Sequence, residues 1–306
     1  MLKEIIITNY RGKSVTYSMS NVSMDEESGM IITEVEGLGP VKANINMTEL
    51  VTADGGIFNS SRLSTRNIVI TALFTYATTI EEARLKSYAF FPIGHKVKIQ
   101  IITDTRNVET EGYVESNEPV IFSDKCSCQI SILCESAYFL SSGKGGTTTT
   151  TFSGINNLFE FPFENDGLEP AIEFSEIVNL QENNVNYQGD AETGIIINLH
   201  AIGTVENIRI YNLDTGERMF VDTDKLETLT GHKMIAGDDI TINTMKGQKS
   251  IYLLRGGVST NILNVLGKDA DWFTLSKGDN LFTFVCEEGT SNLQFSIKSQ
   301  VVYEGI

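Results

Sequence analysis

The sequence predicts a mainly β protein: an N-terminal β-sandwich or barrel domain with one short helix, followed by a C-terminal β-sandwich. Three observations carry that prediction. Apolar and polar residues alternate along many short stretches, which is the period of a half-buried strand. One segment of the first half carries helix signals and the rest does not. The composition breaks once, near residue 141, where a Gly/Ser tract runs into five threonines.

The alternation is clearest in two places. Lys96-Val97-Lys98-Ile99-Gln100-Ile101 sets three apolar side chains on one face. Cys126 to Cys134 does the same, with Cys126, Cys128, Ile130, Ile132 and Cys134 on one face and Leu133 as the exception on the other. Arg66 to Tyr76 is apolar on both faces, the pattern of a strand covered from two sides. Further strands are expected near 3–8, 13–19, 30–36 and 108–116. The helix begins at Thr79-Ile80-Glu81-Glu82, a capping box. It runs through good helix formers to about Ser87, and Pro92 and Gly94 close the connection that follows.

Ser141-Ser142-Gly143-Lys144-Gly145-Gly146 and the threonines Thr147 to Thr151 read as flexible, then extended chain. The expected organisation is therefore a domain over 1–140, a linker over 141–155 and a second domain over 156–306. Strands in that second domain are expected near 171–176, 194–200, 205–212, 217–221, 239–244, 249–254, 258–265, 280–286 and 292–302. Asp214-Thr215-Gly216, Met245-Lys246-Gly247 and Glu288-Gly289-Thr290 supply turns between them. That spacing suits an antiparallel sandwich or jelly roll. Trp272 reads as a core or sheet-edge anchor.

Charge narrows the function classes. The 306-residue chain carries 23 Lys and Arg against 40 Asp and Glu, a formal net charge of −17. Residues 141–306 hold 11 basic against 23 acidic residues, and residues 1–140 hold 12 against 17. Such a chain repels nucleic acid instead of gripping it, yet a like-charged wall lets DNA pass without sticking. No stretch reaches the ~18 apolar residues of a membrane span. The opening MLKEIIITNYRGK lacks a signal peptide's long apolar region, so the expectation is a protein made and used without export. The four cysteines, Cys126, Cys128, Cys134 and Cys286, fit a reducing compartment.

Motifs that carry chemistry are missing or degraded. Gly143-Lys144-Gly145-Gly146-Thr147 lacks the Lys-Ser/Thr step and the following helix of a phosphate-binding loop, so it reads as linker. Asp222-Thr223-Asp224-Lys225-Leu226-Glu227 spaces carboxylates like the start of a calcium loop. It has Glu227 where the required glycine belongs, so it reads as an exposed turn. The clustered cysteines read as small core hydrophobes, and His95, His200 and His232 are scattered without ligand spacing. No nucleophile elbow or dinucleotide fingerprint occurs. Paired carboxylates for glycoside hydrolysis stay open on composition alone, with a solvated acidic surface the simpler account. No residue is assigned a catalytic, cofactor-binding or metal-ligating role.

The order of features resembles the distal tail protein (Dit) family of siphophage tails. In the first 140 residues the resemblance rests on several segments in sequence. Gly37-Leu38-Gly39-Pro40 is an early glycine turn. Asp54-Gly55-Gly56 is followed by the arginine-led strand Arg66-Asn67-Ile68-Val69-Ile70. The single helix Ile80 to Ser87 precedes Phe91-Pro92-Ile93-Gly94. Glu111-Gly112-Tyr113-Val114-Glu115-Ser116, Phe122-Ser123 and the run from Cys126 to Phe139 close the domain. Ala137 stands where the family usually has proline before its aromatic pair, a departure confined to one turn. The second half resembles the galectin-like sandwich of longer members through Asn165 to Ile172, Asn212 to Glu217, Val221-Asp222-Thr223, and Asp271 to Leu275 before Gly278-Asp279-Asn280.

The resemblance implies a structural, non-enzymatic virion protein of the tail tip, assembled in the host cytoplasm and needing no cofactor. It implies a hexameric ring whose N-terminal domains line a channel continuous with the tail tube. Its expected partners are other copies of itself, the tail tube protein, the tip protein and receptor-binding or other baseplate proteins. The competing reading is a carbohydrate-binding adhesin, for which Tyr187, Tyr211 and Tyr252 are the aromatics that would stack on sugar rings.

Overall fold

Where apolar residues recur at every second position the chain is extended, and pairing of these segments builds two separate units. The computed structural model describes residues 2–18, 30–50, 54–74, 79–120, 126–143, 146–157 and 175–306. The first unit comprises Met1–Gly146 with Val302–Ile306, and the second Thr147–Val301. Readings that fall on Thr75 and Tyr76, Phe122-Ser123, Lys144-Gly145 and Asn165 to Ile172 lie outside the described residues.

The first unit is built from β1 (Leu2–Thr8), β2 (Ser14–Ser18), β3 (Met30–Glu36), β4 (Ala43–Glu49), β5 (Gly56–Leu63) and β6 (Arg66–Phe74). Helix α1 (Ile80–Phe90) follows, then β7 (Lys96–Thr103), β8 (Asn107–Pro119), β9 (Ser127–Cys134) and β10 (Phe139–Ser141). The main sheet is a half-barrel ordered β2-β1-β7-β8-β9-β6-β3, and β10 adds to β8. Pairing is antiparallel throughout, as hairpin connections require. Its covered face is the alternating set predicted: Ile5, Ile7, Val97, Ile99, Ile101, Ile68, Ile70, Ile130 and Ile132 are all buried. Helix α1 closes onto this face through Ala83, Ser87 and Phe90, one stripe at helical spacing. Thr79 caps it, accepting from the Glu82 amide at 3.2 Å. The helix runs three residues past Ser87 because nothing breaks it before Pro92, and the adjacent Phe90 and Phe91 bury their rings 4.9 Å apart.

Strand β6 corrects one expectation. Its outward side chains are not covered: Leu73 is 39% exposed and Asn67 is exposed, while Arg66, Ile68, Ile70, Ala72 and Phe74 point inward. A single curved sheet has one core face, so apolar residues on its other face remain at the surface.

Arg66 heads that strand and is 1% exposed. Its guanidinium donates to Gly37 O at 2.6 Å, Gly39 O at 2.8 Å, Glu304 O at 2.6 Å and Ala137 O at 2.7 and 3.2 Å. It lies 4.0 Å from the Phe139 ring centroid, and burial lowers its pKa from the ordinary value. Gly37 is needed at this node: its φ is +83°, and a Cβ there would sit 2.0 Å from Asn67 O. Ala137 contributes a carbonyl, which any residue supplies, so the departure from proline costs the node nothing. Residues 302–306 return to this unit, which corrects the 156–306 boundary. Here β23 (Val302–Tyr303) pairs with β10, Arg106 donates to Gly305 O at 2.5 Å, and the Ile306 amide donates to Leu38 O at 3.1 Å.

The second unit starts where a linker was expected. Thr147–Asn157 is strand β11, paired antiparallel with residues 295–300. A run of β-branched residues prefers a ladder when a partner strand is available. After β12 (Ser175–Asn179), β13 (Glu182–Asn184), β14 (Thr193–Ala201), β15 (Glu206–Asn212) and β16 (Arg218–Val221) come helix α2 (Thr223–Thr230) and the strands β17 (Asp239–Asn243), β18 (Ser250–Arg255) and β19 (Val258–Asn261). Strands β20 (Thr274–Leu275), β21 (Leu281–Glu288) and β22 (Leu293–Gln300) complete the unit. One sheet runs β12-β11-β22-β14-β17-β18-β19 and the other β13-β21-β15-β16. Phe152 and Phe295 meet at 4.6 Å on the first, and Phe284 of the second meets Phe295 at 4.9 Å, so aromatic rings fill the space between them.

Two further readings change. The expected turn at 222–227 is the start of α2: the Asp222 carboxylate accepts from the Asp224 and Lys225 amides, and Leu226 is fully buried. The aromatic anchor is Phe273, fully buried and 5.4 Å from Phe282, while Trp272 is half-buried beneath Lys249.

Replacing Arg66 with Met should lower stability by about 3 kcal/mol or more, because buried carbonyls lose their donor. Arg66→Lys should fall between, since one ammonium cannot serve four carbonyls in a fixed fork. Urea unfolding checks this; a loss under about 1 kcal/mol for Met would show the node to be dispensable.

Candidate functional site

The side chains weighed for chemistry are dispersed or serve structure. Gly146 donates its amide to Gly143 O at 3.1 Å, and a strand follows, not a phosphate-cradling helix. His95 packs 4.4 Å from Tyr10, and His200 Nδ1 meets Asp239 Oδ1 at 2.6 Å across β14 and β17. His232 follows α2 and accepts from Thr230 through its carbonyl. Among the described residues, no three His, Cys, Asp or Glu side chains gather as metal ligands. Asn280, from the predicted turn, is 3% exposed, and its amide ties Ser276, Gly278 and Val185 carbonyls together. Tyr187 is buried with its hydroxyl on Ala191 O at 2.8 Å, so it offers no stacking face. Tyr252 is exposed on β18, and Tyr211 is half-buried on β15.

Two surface features remain once these are set aside. The first is the hairpin β4–β5, a two-stranded sheet of its own in which every described residue is exposed. Its register pairs Ala43 with Leu63 and, beyond a bulge, Met47 with Phe58. Ile45, Met47, Phe58 and Leu63 therefore share one face, with exposures of 60, 55, 59 and 38%. The alternation that found the other strands is weak here because no core selects one face. Glycines at 55 and 56 and the apolar pairs were its only sequence signal.

The second is a cavity of about 340 Å³ in the second unit, against the outer face of β15 and β16. Arg209 stands opposite Phe220 and Tyr211 opposite Arg218, so cations and rings alternate across the strand pair. Arg209 lies 4.9 Å from the Phe220 centroid. The turn of Gly267, Lys268 and Asp269 forms a wall, held by Gly267 N on Phe220 O at 2.9 Å and Asp271 N on Arg218 O at 2.8 Å.

Comparison with known proteins bears on the whole chain. Residues 188–299 match the family model described as siphovirus-type tail component, C-terminal domain. The Dit protein of phage SPP1, described as a paradigm of hub adsorption apparatus in phages infecting Gram-positive hosts, shares the fold at a TM-score of 0.65. That likeness covers 97% of this chain and 98% of the SPP1 chain at 12% identity. Residues 188–299 are similar to a siphovirus tail component domain, and the chain has the fold of the SPP1 Dit protein. A chain of the phage P2 baseplate in its activated conformation with Ca aligns over 98% of this chain and 99% of its own, at 10% identity. Its TM-score of 0.43 is too low to carry weight. No curated protein matches the sequence. The half-barrel first unit and the separate second β unit are the Dit architecture.

In this Dit-like chain the β9 cysteines are core residues: Cys128 and Cys134 are buried between Ile130, Ile132 and the facing strands, and Cys286 is buried in the second unit. Cys126 departs from expectation, being only half-buried just ahead of β9. Burial pushes the Cys128 and Cys286 thiols from 9.0 up to about 11. A raised thiol pKa stabilises the fold below pH 9 and that contribution is lost as pH rises through about 11. The unfolding midpoint should accordingly drop across that window in Cys128→Ala less than in the parent. A thiol reagent in native buffer should label Cys126 first and the other three only in denaturant; rapid labelling of Cys128 would mean the β9 register is wrong.

Proposed function

We propose that the protein is the hub ring of a phage tail tip: copies of the first unit close into a ring, six in number, that joins the tail tube to the tip or baseplate. The hairpin β4–β5 carries this reading. A two-stranded sheet with four large apolar side chains on one exposed face is marginal alone and gains stability by docking. A second copy of the chain is the occupant that a closed homo-oligomer requires, since each copy both offers the arm and receives one. Strands β2 and β3 end the half-barrel path with unpaired edges among the described residues, a second place for sheet pairing.

The likeness to the SPP1 Dit fold supports the placement between tube and tip. The net charge of −17 supports passage of DNA through a ring without adhesion. The tail tube protein, the tip protein and receptor-binding or other baseplate proteins are the partners of such a hub, which would assemble in the host cytoplasm and reside at the virion tail tip.

Light scattering on the purified protein should return a mass near six chains. Met47→Glu with Phe58→Glu should reduce it to one chain while the thermal midpoint of the monomer changes little, because both positions are already at the surface. A parent protein that stays a monomer at every concentration, or a double variant that still assembles, would count against ring closure through this arm.

A further inference from the structure

The cavity on β15 and β16 has no role in ring closure as proposed, and its chemistry is specific. Residues 147–301 contain 10 Lys and Arg against 22 Asp and Glu, so carboxylate partners are abundant. Among the described residues four of the ten basic side chains use them: Lys225 pairs with Asp222, Lys277 with Asp190, Lys233 with Glu206 at 2.8 Å and Asp224 at 3.1 Å, and Arg255 with the buried Asp238. Arg209, Arg218 and Lys268 surround the cavity, and among the described residues none of the three makes an ion pair. A guanidinium left without a carboxylate in so acidic a unit is available to an anion from outside.

The rest of the lining sets what that anion is attached to. Tyr211 and Phe220 are half-buried rings of the lining, Phe220 with Arg209 4.9 Å from its centroid and Tyr211 opposite Arg218. Asp269 on the wall supplies an acceptor for hydroxyl groups. The Asp271 carboxylate is already used, accepting from the Arg218 amide at 3.0 Å, and so braces the strand end. Both strands and the 267–271 segment are tied by backbone hydrogen bonds, so the lining is held in place before any ligand arrives. The volume of about 340 Å³ is at the small end of ligand pockets, the scale of one or two rings.

We propose that this cavity binds an acidic sugar unit of a polysaccharide. Its ring lies on Phe220 and Tyr211, its carboxylate or phosphate is held by Arg209 and Arg218 with Lys268 at the rim, and Asp269 takes a hydroxyl. A nucleic acid strand places a phosphate on every residue and meets a net acidic surface beyond the cavity. An acidic peptide has charge but no ring to use the aromatic faces. An isolated anion beside a sugar ring uses the three cations, the two rings and Asp269. This site concerns the second unit and stands whether or not the first unit closes a ring.

Saturation-transfer NMR on the full chain tests it with four probes: glucuronic acid, glucose 6-phosphate, glucose and an Asp/Glu tetrapeptide. The acidic sugars should show saturation of their ring protons and an apparent Kd on the order of 1 mM, with glucose at least about tenfold weaker. Whichever of the two acidic sugars binds tighter names the anion as carboxylate or phosphate. Arg209→Gln with Arg218→Gln should abolish the preference over glucose, and Phe220→Ala should remove ring saturation. Lys268→Gln, on a surface turn, gives a third variant whose folding is not in question and should weaken the acidic sugars two- to threefold, roughly a rim charge's share. Equal saturation by glucose or by the tetrapeptide, or acidic-sugar binding unchanged in all three variants, would overturn the proposal.

Discussion

A guanidinium with no carboxylate partner among the described residues holds the first unit together. Arg66 is buried at the head of β6, and four backbone carbonyls from three distant stretches of chain converge on it. An uncompensated cation in that position would be prohibitively expensive. The planar fork of five donors lets arginine satisfy the glycine turn at 37–39, the segment before β10 and residues 302–306 at once. The carbonyls of Gly37, Gly39, Ala137 and Glu304 lie outside the strands, so their polar groups need a common donor. The Phe139 ring beneath the guanidinium completes its shell without adding charge. The half-barrel, and the return of the chain to it after the second unit, both depend on this node.

The second unit solves its packing differently. Its sheets meet through aromatic rings, Phe152, Phe295 and Phe284 in contact, with Phe273 and Phe282 forming a further pair. Arg255 pairs with the buried Asp238 and donates to Lys233 O, anchoring the segment after α2. Polar work in the interior is left to amides such as Asn280. The outer face of β15 and β16 carries the cavity, whose cations make no ion pair among the described residues.

Exposure in this protein divides into two kinds. On the half-barrel, Leu73, Leu133 and Tyr113 are partly exposed because a one-sided sheet has nothing behind its outer face. On β4–β5 four large apolar side chains, Ile45, Met47, Phe58 and Leu63, gather on one side of a hairpin that forms a sheet of its own, which suits the arm proposed above. The acidic balance of the chain sets the character of any channel such arms enclose.

Much of the fold was legible in the residues themselves, since period-two burial is a local property. Lys96 to Ile101, Cys126 to Cys134 and the Thr79 cap each identify their own structure from neighbours within a few positions. The sequence also determined the acidic surface and the lack of a catalytic motif. What it could not determine depends on partners far along the chain. The threonines at 147–151 look like linker until residues 296–300 pair with them. Thr223–Thr230 looks like a turn until its cap and the burial of Leu226 are seen. Arg66 reads as an ordinary strand residue, because its acceptors lie up to 238 positions away. Arg209, Arg218 and Lys268 share one cavity only because β15 pairs with β16 and the 267–271 turn folds against that edge. Local pattern chose the strands; the free energy of distant backbone groups finding donors and acceptors decided how they were used.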